Sequence, residues 1–318
     1  MSAHRIRCAA VIGTGVIGRS WIQVFSRAGC LTRLYDQDRS QVERALAWFQ
    51  ADLEEDVADG FITARQAEER RALVSDHFSL ADALAGAGYV QESGPERPDI
   101  KKTIFAEMDR LAPAEVILAS STSAIDIEDI AGHLPGAGRC LTAHPFNPPH
   151  ILPAVEVMGT RRSDPAVFKR AVTFLQDVGQ KPVRMNFFVP GYLANRIQAA
   201  VVREAIHLAV RGVAEVDAID SVIRDGLGLR WAIFGNFGTN NTNADGGIRD
   251  YYGRYGKAYI EMMQDLDSQP PGFEPEMIEA IGQGVDAMEG SAPLRDICRW
   301  RDRMIRKIRV LKAEDPHP

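Results

Sequence analysis

An apolar run, Ala9-Ala10-Val11-Ile12, breaks into Gly13-Thr14-Gly15-Val16-Ile17-Gly18, and this G-x-G-x-x-G loop restricts the chain more than any other stretch. Arg5 to Ile12 reads as a buried strand and Val16 to Ala28 as a helix closed by Gly29. Leu31 to Tyr35 reads as the next strand, with Asp36 at its end. Strand, glycine turn, helix and second strand with a terminal acid form the setting in which such a loop binds a dinucleotide. Gly13 permits the tight turn, Gly15 lets the backbone approach a diphosphate, and Gly18 lets helix pack on strand. The diphosphate would lie on the free N–H groups and positive dipole end of the helix, at Val16 and Ile17. Asp36 would accept from both adenosine ribose hydroxyls and repel a 2′-phosphate, which favours NAD over NADP. Outside that setting the glycines would be only a turn between two core elements.

Further along, Arg39 to Gly60 reads as a long amphipathic helix, and Thr63-Ala64-Arg65-Gln66 starts a second, so the pair resembles a helical hairpin between strands. Its acidic run, Asp52, Glu54, Glu55, Asp56 and Asp59, reads as a solvated face. Ser79 caps a short helix ending near Gly86, and Tyr89 to Gln91 is a brief strand. A helix from Pro98 to Leu111 precedes a strand from Val116 to Ala119 and the run Ser120-Ser121-Thr122-Ser123. A helix from Asp126 to Leu134 and a strand from Cys140 to Ala143 lead into His144-Pro145-Phe146-Asn147-Pro148-Pro149. An apolar run from Ile151 to Val157, a helix from Pro165 to Val178 and a strand from Pro182 to Met185 follow. Strands alternating with helices at this spacing predict an α/β domain, a doubly wound, mostly parallel sheet of the Rossmann type, over residues 1–189. Past Pro190-Gly191 the period changes to 3.6: Tyr192, Ile197, Ala200, Val201, Ala205 and Leu208 share a helical face. Residues 190–318 therefore read as an all-helical second domain, with a polar loop from Gly238 to Gly247. A helical domain of that size buries little core alone, so docking on a sister subunit would supply the missing burial.

A length of 318 residues accommodates both domains. The net charge of −6 argues against a nucleic-acid partner, which requires a basic surface. No apolar stretch has the length of a membrane span, and Met1 to Arg5 run into the first strand with no secretory leader. Cys8, Cys30, Cys140 and Cys298 lack C-x-x-C spacing, so neither disulfides nor zinc are expected; the setting reads as reducing and cytoplasmic.

Among seven histidines, His144 stands where chemistry is expected, at the carboxyl end of a strand in an open α/β sheet. On position alone it is equally a hydrogen-bonded core histidine. Glu156 shifts that balance, because an acid inside Ile151 to Met158 is costly to bury without a partner. His144 on the neighbouring strand is within reach, and a carboxylate on one imidazole nitrogen fixes the tautomer and supports the charge when the other takes a proton. An arginine is the competing partner for Glu156. Ser123 reads either as a helix cap or as a donor to a substrate oxygen, and Asn195 either as a backbone-bonded helix residue or as a second such donor.

These pieces together resemble the 3-hydroxyacyl-CoA dehydrogenase superfamily from end to end. The shared motifs are the Gly13/Gly15/Gly18 loop, Glu92 and Glu96 with Lys101, Ser120 to Ser123, His144 to Pro148, Glu156, and Pro190-Gly191-Tyr192-Leu193-Ala194-Asn195-Arg196. Within it, Gly18-Arg19-Ser20-Trp21, Asn147-Pro148-Pro149 and Gly226-Leu227-Gly228-Leu229-Arg230-Trp231 are most similar to the lambda-crystallin and L-gulonate 3-dehydrogenase branch. The resemblance implies an NAD-dependent dehydrogenase in which His144 is the general base and Glu156 its partner. Ser123 and Asn195 would then bind the reacting oxygen, Asp36 the ribose, and Glu96, Lys101 and Asn147 would line the nicotinamide end. It also implies a homodimer through the helical domain.

Arg230 stands where the acyl-CoA enzymes carry an uncharged residue, and is expected either to fork onto a substrate carboxylate or to make an ion pair at a surface or dimer contact. The acidic run Asp52 to Asp59 lies where those enzymes would present basic residues to coenzyme phosphates. Both departures favour a small free L-3-hydroxy acid as substrate. A short 3-hydroxyacyl-CoA, carnitine or a diketo ester would keep the chemistry and change the substrate. A cofactor-binding structural protein of the crystallin kind is the reading of another class, and decay of Ser123, His144, Glu156 or Asn195 would mark it; all four are present.

Overall fold

The structure is a computed structural model that describes residues 6–266, 269–290 and 292–315. Met1 to Arg5, where the first strand was expected to begin, lie outside the described residues. Cys8–Ile12 (β1), Val16–Arg27 (α1) and Leu31–Tyr35 (β2) follow in the order that the glycine pattern predicts. Helix α1 buries Trp21, Ile22, Val24 and Phe25, and Trp21 stacks on Phe25 one turn on, with ring centroids 5.3 Å apart. Arg39–Ala58 (α2) is capped by Asp38, and Ala64–Arg71 (α3) begins at a reciprocal Thr63/Gln66 capping box.

Val74–Asp76 (β3) was not expected, since three residues with no apolar run carry no strand period. Leu80–Leu84 (α4), capped by Ser79, Tyr89–Glu92 (β4), Pro98–Leu111 (α5) and Ile117–Ser120 (β5) come next. They lead to Ile127–Ala131 (α6), Cys140–Pro145 (β6), Ala154–Gly159 (β7), Pro165–Asp177 (α7) and Lys181–Arg184 (β8).

The eight strands form one sheet in the order β3-β2-β1-β4-β5-β6-β7-β8. The first six run parallel, whereas β7 runs antiparallel to β6 and β8 runs with β7. A parallel return needs a crossover of about a dozen residues or more. The link 146–153 is shorter, so β7 runs back along β6 and places Glu156 opposite His144. Strand β1 is covered on both faces: Ala9 and Val11 enter one apolar cluster, Ala10 and Ile12 the other. Strand order reverses between β1 and β4, the position at which open α/β sheets bind ligands.

The chain divides into two compact units between Ala194 and Asn195, where the sequence pattern changed at Pro190-Gly191. Tyr192–Val210 (α8) spans that division, and the second unit continues through Val216–Ser221 (α9), a π-helical stretch and Gly228–Asn241 (α10). Gly247–Asp265 (α11), Pro275–Glu289 (α12) and Leu294–Glu314 (α13) complete it. The expected loop from Gly238 to Gly247 is shorter than its polarity suggests. Gly238 to Asn241 end α10, Gly247 starts α11, and Asn241 Oδ1 accepts from Ile248 N at 3.0 Å across the turn between them. Among the described residues of this unit only Ile206, Thr239 and Asn240 are buried, while Ile197, Leu229, Phe237, Ile260 and Trp300 stand exposed. No helix of the described residues is long and apolar enough to cross a membrane.

Candidate functional site

The glycine loop has the shape that a diphosphate needs. Gly13 takes φ +88°, and a Cβ there would meet Gly94 N at 2.6 Å; a Cβ on Gly18 would overlap the Gly13 carbonyl. At Gly15 an added Cβ would meet nothing within 4 Å, so the backbone faces open space there. Gly15 also caps α1 without a side-chain acceptor, which leaves the first N–H groups of the helix, Val16 and Ile17 among them, to a ligand. A cavity of about 970 Å³ opens against this loop, lined by Gly13, Gly15, Asp36, Ser93, Pro95 and Ile100. Asp36 is held in place: Oδ2 accepts from Thr14 N at 2.8 Å and Oδ1 from Asp38 N at 3.0 Å. Uncapped amides, an open glycine face and an oriented acid on one cavity fit an adenine dinucleotide.

Beside the loop, the end of β4 carries Glu92, fully buried with Lys101 of α5. The Lys101 ammonium donates to Glu92 Oε1 and Oε2 at 2.8 and 3.0 Å and to the Gly94 carbonyl at 3.3 Å. Ser120 Oγ at 2.6 Å and Gly94 N at 2.7 Å complete the shell of Glu92. Lys101, which the resemblance set at the nicotinamide end, therefore has its donors engaged by the protein and holds the loop that abuts Gly13. Sequence reading gave Glu92 no role, although an acid at the buried end of a strand nine residues before a lysine is the signal for this pair.

Glu96, on the same loop, accepts from Thr122 Oγ1 and Ser123 N at 2.7 Å, from Ala124 N at 2.9 Å and from Ser123 Oγ at 3.3 Å. Burial opposes its ionisation, but the Thr122 hydroxyl, the Lys101 charge and the two amides outweigh it and hold the carboxyl below its ordinary range. Ser123 is not a helix cap: Asp126 caps α6 through Glu128 N. Hydrogen bonds through Ser121 tie these elements together, since its Oγ receives Trp21 Nε1 of α1 at 3.2 Å and Gln91 Nε2 of β4 at 2.8 Å. Gln91 also donates to the Ala143 carbonyl on β6.

His144 follows Ala143. Its Nδ1 lies 2.7 Å from Glu156 Oε2, and Nε2 bonds to no described residue. Glu156, 2% exposed, turns its other oxygen to Leu193 N at 2.7 Å and Ala194 N at 2.9 Å. Burial again opposes ionisation, and the His144 contact with the Ala194 and Leu193 amides overcomes it, so the carboxyl lies below its ordinary value. The Tyr192 ring stacks on the imidazole, centroids 5.2 Å apart at 28°. Sequence reading counted Tyr192 only among apolar helix positions.

Other candidates stand apart from this group. Asn147 is exposed on the link between β6 and β7. Asn195, exposed, is the first residue of the second unit and follows Ala194 directly. Arg230 is exposed on α10 and makes no ion pair with a described residue; its charge acts on the Tyr259 hydroxyl of α11. The acidic run on α2 is only partly solvated, because Asp56 is buried and Asp52 accepts from Gln23 Nε2 at 2.5 Å.

Comparison with known proteins agrees with this geometry. Residues 8–187 match the 3-hydroxyacyl-CoA dehydrogenase NAD binding domain and residues 191–285 the 3-hydroxyacyl-CoA dehydrogenase C-terminal domain. A lambda-crystallin homolog from Bos taurus is 34% identical over 310 residues, covering 96% of each chain. An L-carnitine dehydrogenase from Streptomyces griseus is 34% identical over 314 residues, 97% of this chain and 90% of that protein. An NAD+ dependent 5-formyl-3-hydroxy-2-methylpyridine 4-carboxylic acid 5-dehydrogenase shares the fold at a TM-score of 0.78 and 24% identity, covering 98% of this chain and all (100%) of that one. With the glycine loop, the anchored acids and both domains accounted for, the chain belongs to the 3-hydroxyacyl-CoA dehydrogenase family and is an NAD-dependent oxidoreductase.

Proposed function

We propose that this enzyme oxidises the 3-hydroxyl of a small free L-3-hydroxy acid, L-gulonate being the type, with His144 as general base. The observation that carries the reading is an imidazole bound through Nδ1 to a buried carboxylate and unbonded at Nε2. Glu156 as acceptor assigns the proton to Nδ1, which leaves the Nε2 lone pair as the base. The substrate hydroxyl proton passes to Nε2, and Glu156 stabilises the imidazolium; in reduction the imidazolium returns that proton to the alkoxide. Such assistance contributes about 10²–10⁴-fold. When bound, NAD takes the hydride released from the same carbon.

The remaining residues serve this step. Val16 and Ile17 offer their amides to the diphosphate, and Asp36 accepts from the ribose. Ser123, on the loop that Glu96 anchors, and Asn195 donate to the reacting oxygen. Asn147 lines the nicotinamide end, where Glu96 and Lys101 act by holding the loops on either side. Arg230, with no protein counter-ion among the described residues, takes the substrate carboxylate. An acidic α2, with Glu54 and Asp59 exposed, supports a free acid over a coenzyme A thioester, whose phosphates it would repel. Similarity to L-carnitine dehydrogenases favours a second reading within the same class, since carnitine is also a free 3-hydroxy acid. The intact dyad favours an enzyme over a purely structural crystallin. The bare apolar helices of the second unit support a homodimer built on that unit.

NADH formation with gulonate, 3-hydroxybutyrate, carnitine and 3-hydroxybutyryl-CoA tests the reading. A free acid is expected to give the highest kcat/KM, and preference for the thioester would overturn the substrate class.

A further inference from the structure

Tyr192 does three things at once. Its ring lies on the His144 imidazole at 5.2 Å and is met edge-on by Phe188 at 5.6 Å, so the imidazole rests on a fixed surface. Its hydroxyl donates to the Ile125 carbonyl at 2.9 Å and lies 3.3 Å from Thr142 Oγ1, which joins the loop carrying Ser123 to the strand carrying His144. Its backbone sits at φ +51°, a region a bulky side chain rarely enters, and that turn aims the next two amides at Glu156 Oε1. Strain of this kind persists where the surroundings hold it and is found at functional positions. The side chain is fully buried, and burial raises the phenol so that it stays a donor.

Resting on the general-base reading above, we infer that Tyr192 is the positioning residue of the dyad: one side chain sets the imidazole against both Glu156 and the Ser123 loop. It touches no reacting atom. Losing the ring frees the imidazole to swing, and displacement of a reacting group by about 1 Å costs about 10²-fold. Losing only the hydroxyl releases the Ile125 carbonyl, a hydrogen bond whose loss corresponds to about 2–10-fold.

The test compares native enzyme with Tyr192→Leu and Tyr192→Phe, using whichever hydroxy acid the native enzyme turns over. Turnover is normalised to NADH-binding sites counted by fluorescence titration. Tyr192→Leu is expected to lose about 10²-fold in kcat per site with the NADH dissociation constant within about twofold of native. Tyr192→Phe is expected to restore kcat to within about threefold and to raise the KM for the hydroxy acid severalfold. A residue needed only for folding would lower the number of sites and leave turnover per site unchanged, and that outcome overturns the inference. Should Tyr192→Leu not fold, the Phe variant decides alone: a raised KM at near-native kcat supports the inference, and an unchanged KM overturns it. Were His144→Gln to retain turnover, the parent reading would fail; loss of turnover there with a normal Tyr192→Leu enzyme would sink this inference only.

Discussion

Glu156 stays charged in an almost fully buried position because three donors reach it: the His144 ring and the amides of Leu193 and Ala194. Its folded value lies below the ordinary carboxylate value of about 4.3. The native state therefore binds fewer protons at this group than the unfolded chain does. Its stabilisation is whole above the unfolded value and is lost as pH falls through the folded one. Glu96 follows the same sign for the same kind of reason. Urea unfolding at pH 7 and at pH 4 is expected to show a drop in stability on acidification. That drop narrows in Glu156→Gln, which has no charge to lose, and an equal drop in both proteins would contradict the account.

At the scale of elements, the buried Glu92–Lys101 pair holds the end of β4, the head of β5 through Ser120 and the Gly94 turn against helix α5. Removing one member of such a pair leaves an uncompensated buried charge, at a cost of about 3–5 kcal/mol. Lys101→Met is expected to lose stability on that order in urea unfolding, and Lys101→Met with Glu92→Gln to recover much of it. A single variant within about 1 kcal/mol of native would contradict the strut. The elements themselves were largely readable in advance. Gly13, Gly15, Gly18 and Asp36 announced β1, α1 and β2 because glycine geometry and apolar period are local properties. Glu156 announced a partner because an acid in an apolar strand cannot remain alone. β3 was not legible, being three residues at the sheet edge without a period. Nor were the tasks of Lys101 and Tyr192: one depends on where α5 packs against β4, the other on a positive φ at the head of α8, and neither leaves a mark in residue order.

For the whole molecule, the two units differ in how well each covers itself. The sheet unit buries apolar clusters on both faces. In the helical unit, among its described residues, Leu229, Ile233, Phe237, Ile260, Trp300 and Leu311 are all exposed. A contiguous apolar surface of this kind marks a protein–protein contact. Light scattering is expected to give twice the 35.0 kDa chain mass, and a monomer at micromolar concentration would contradict the dimer. Catalysis by that dimer stands or falls with one imidazole. Turnover of the free hydroxy acid by His144→Gln, set beside its NADH affinity, is the most direct measurement. The account expects unchanged NADH binding and a loss of about 10²–10⁴-fold in kcat, whereas a variant that binds NADH and turns over within about threefold of native would contradict it.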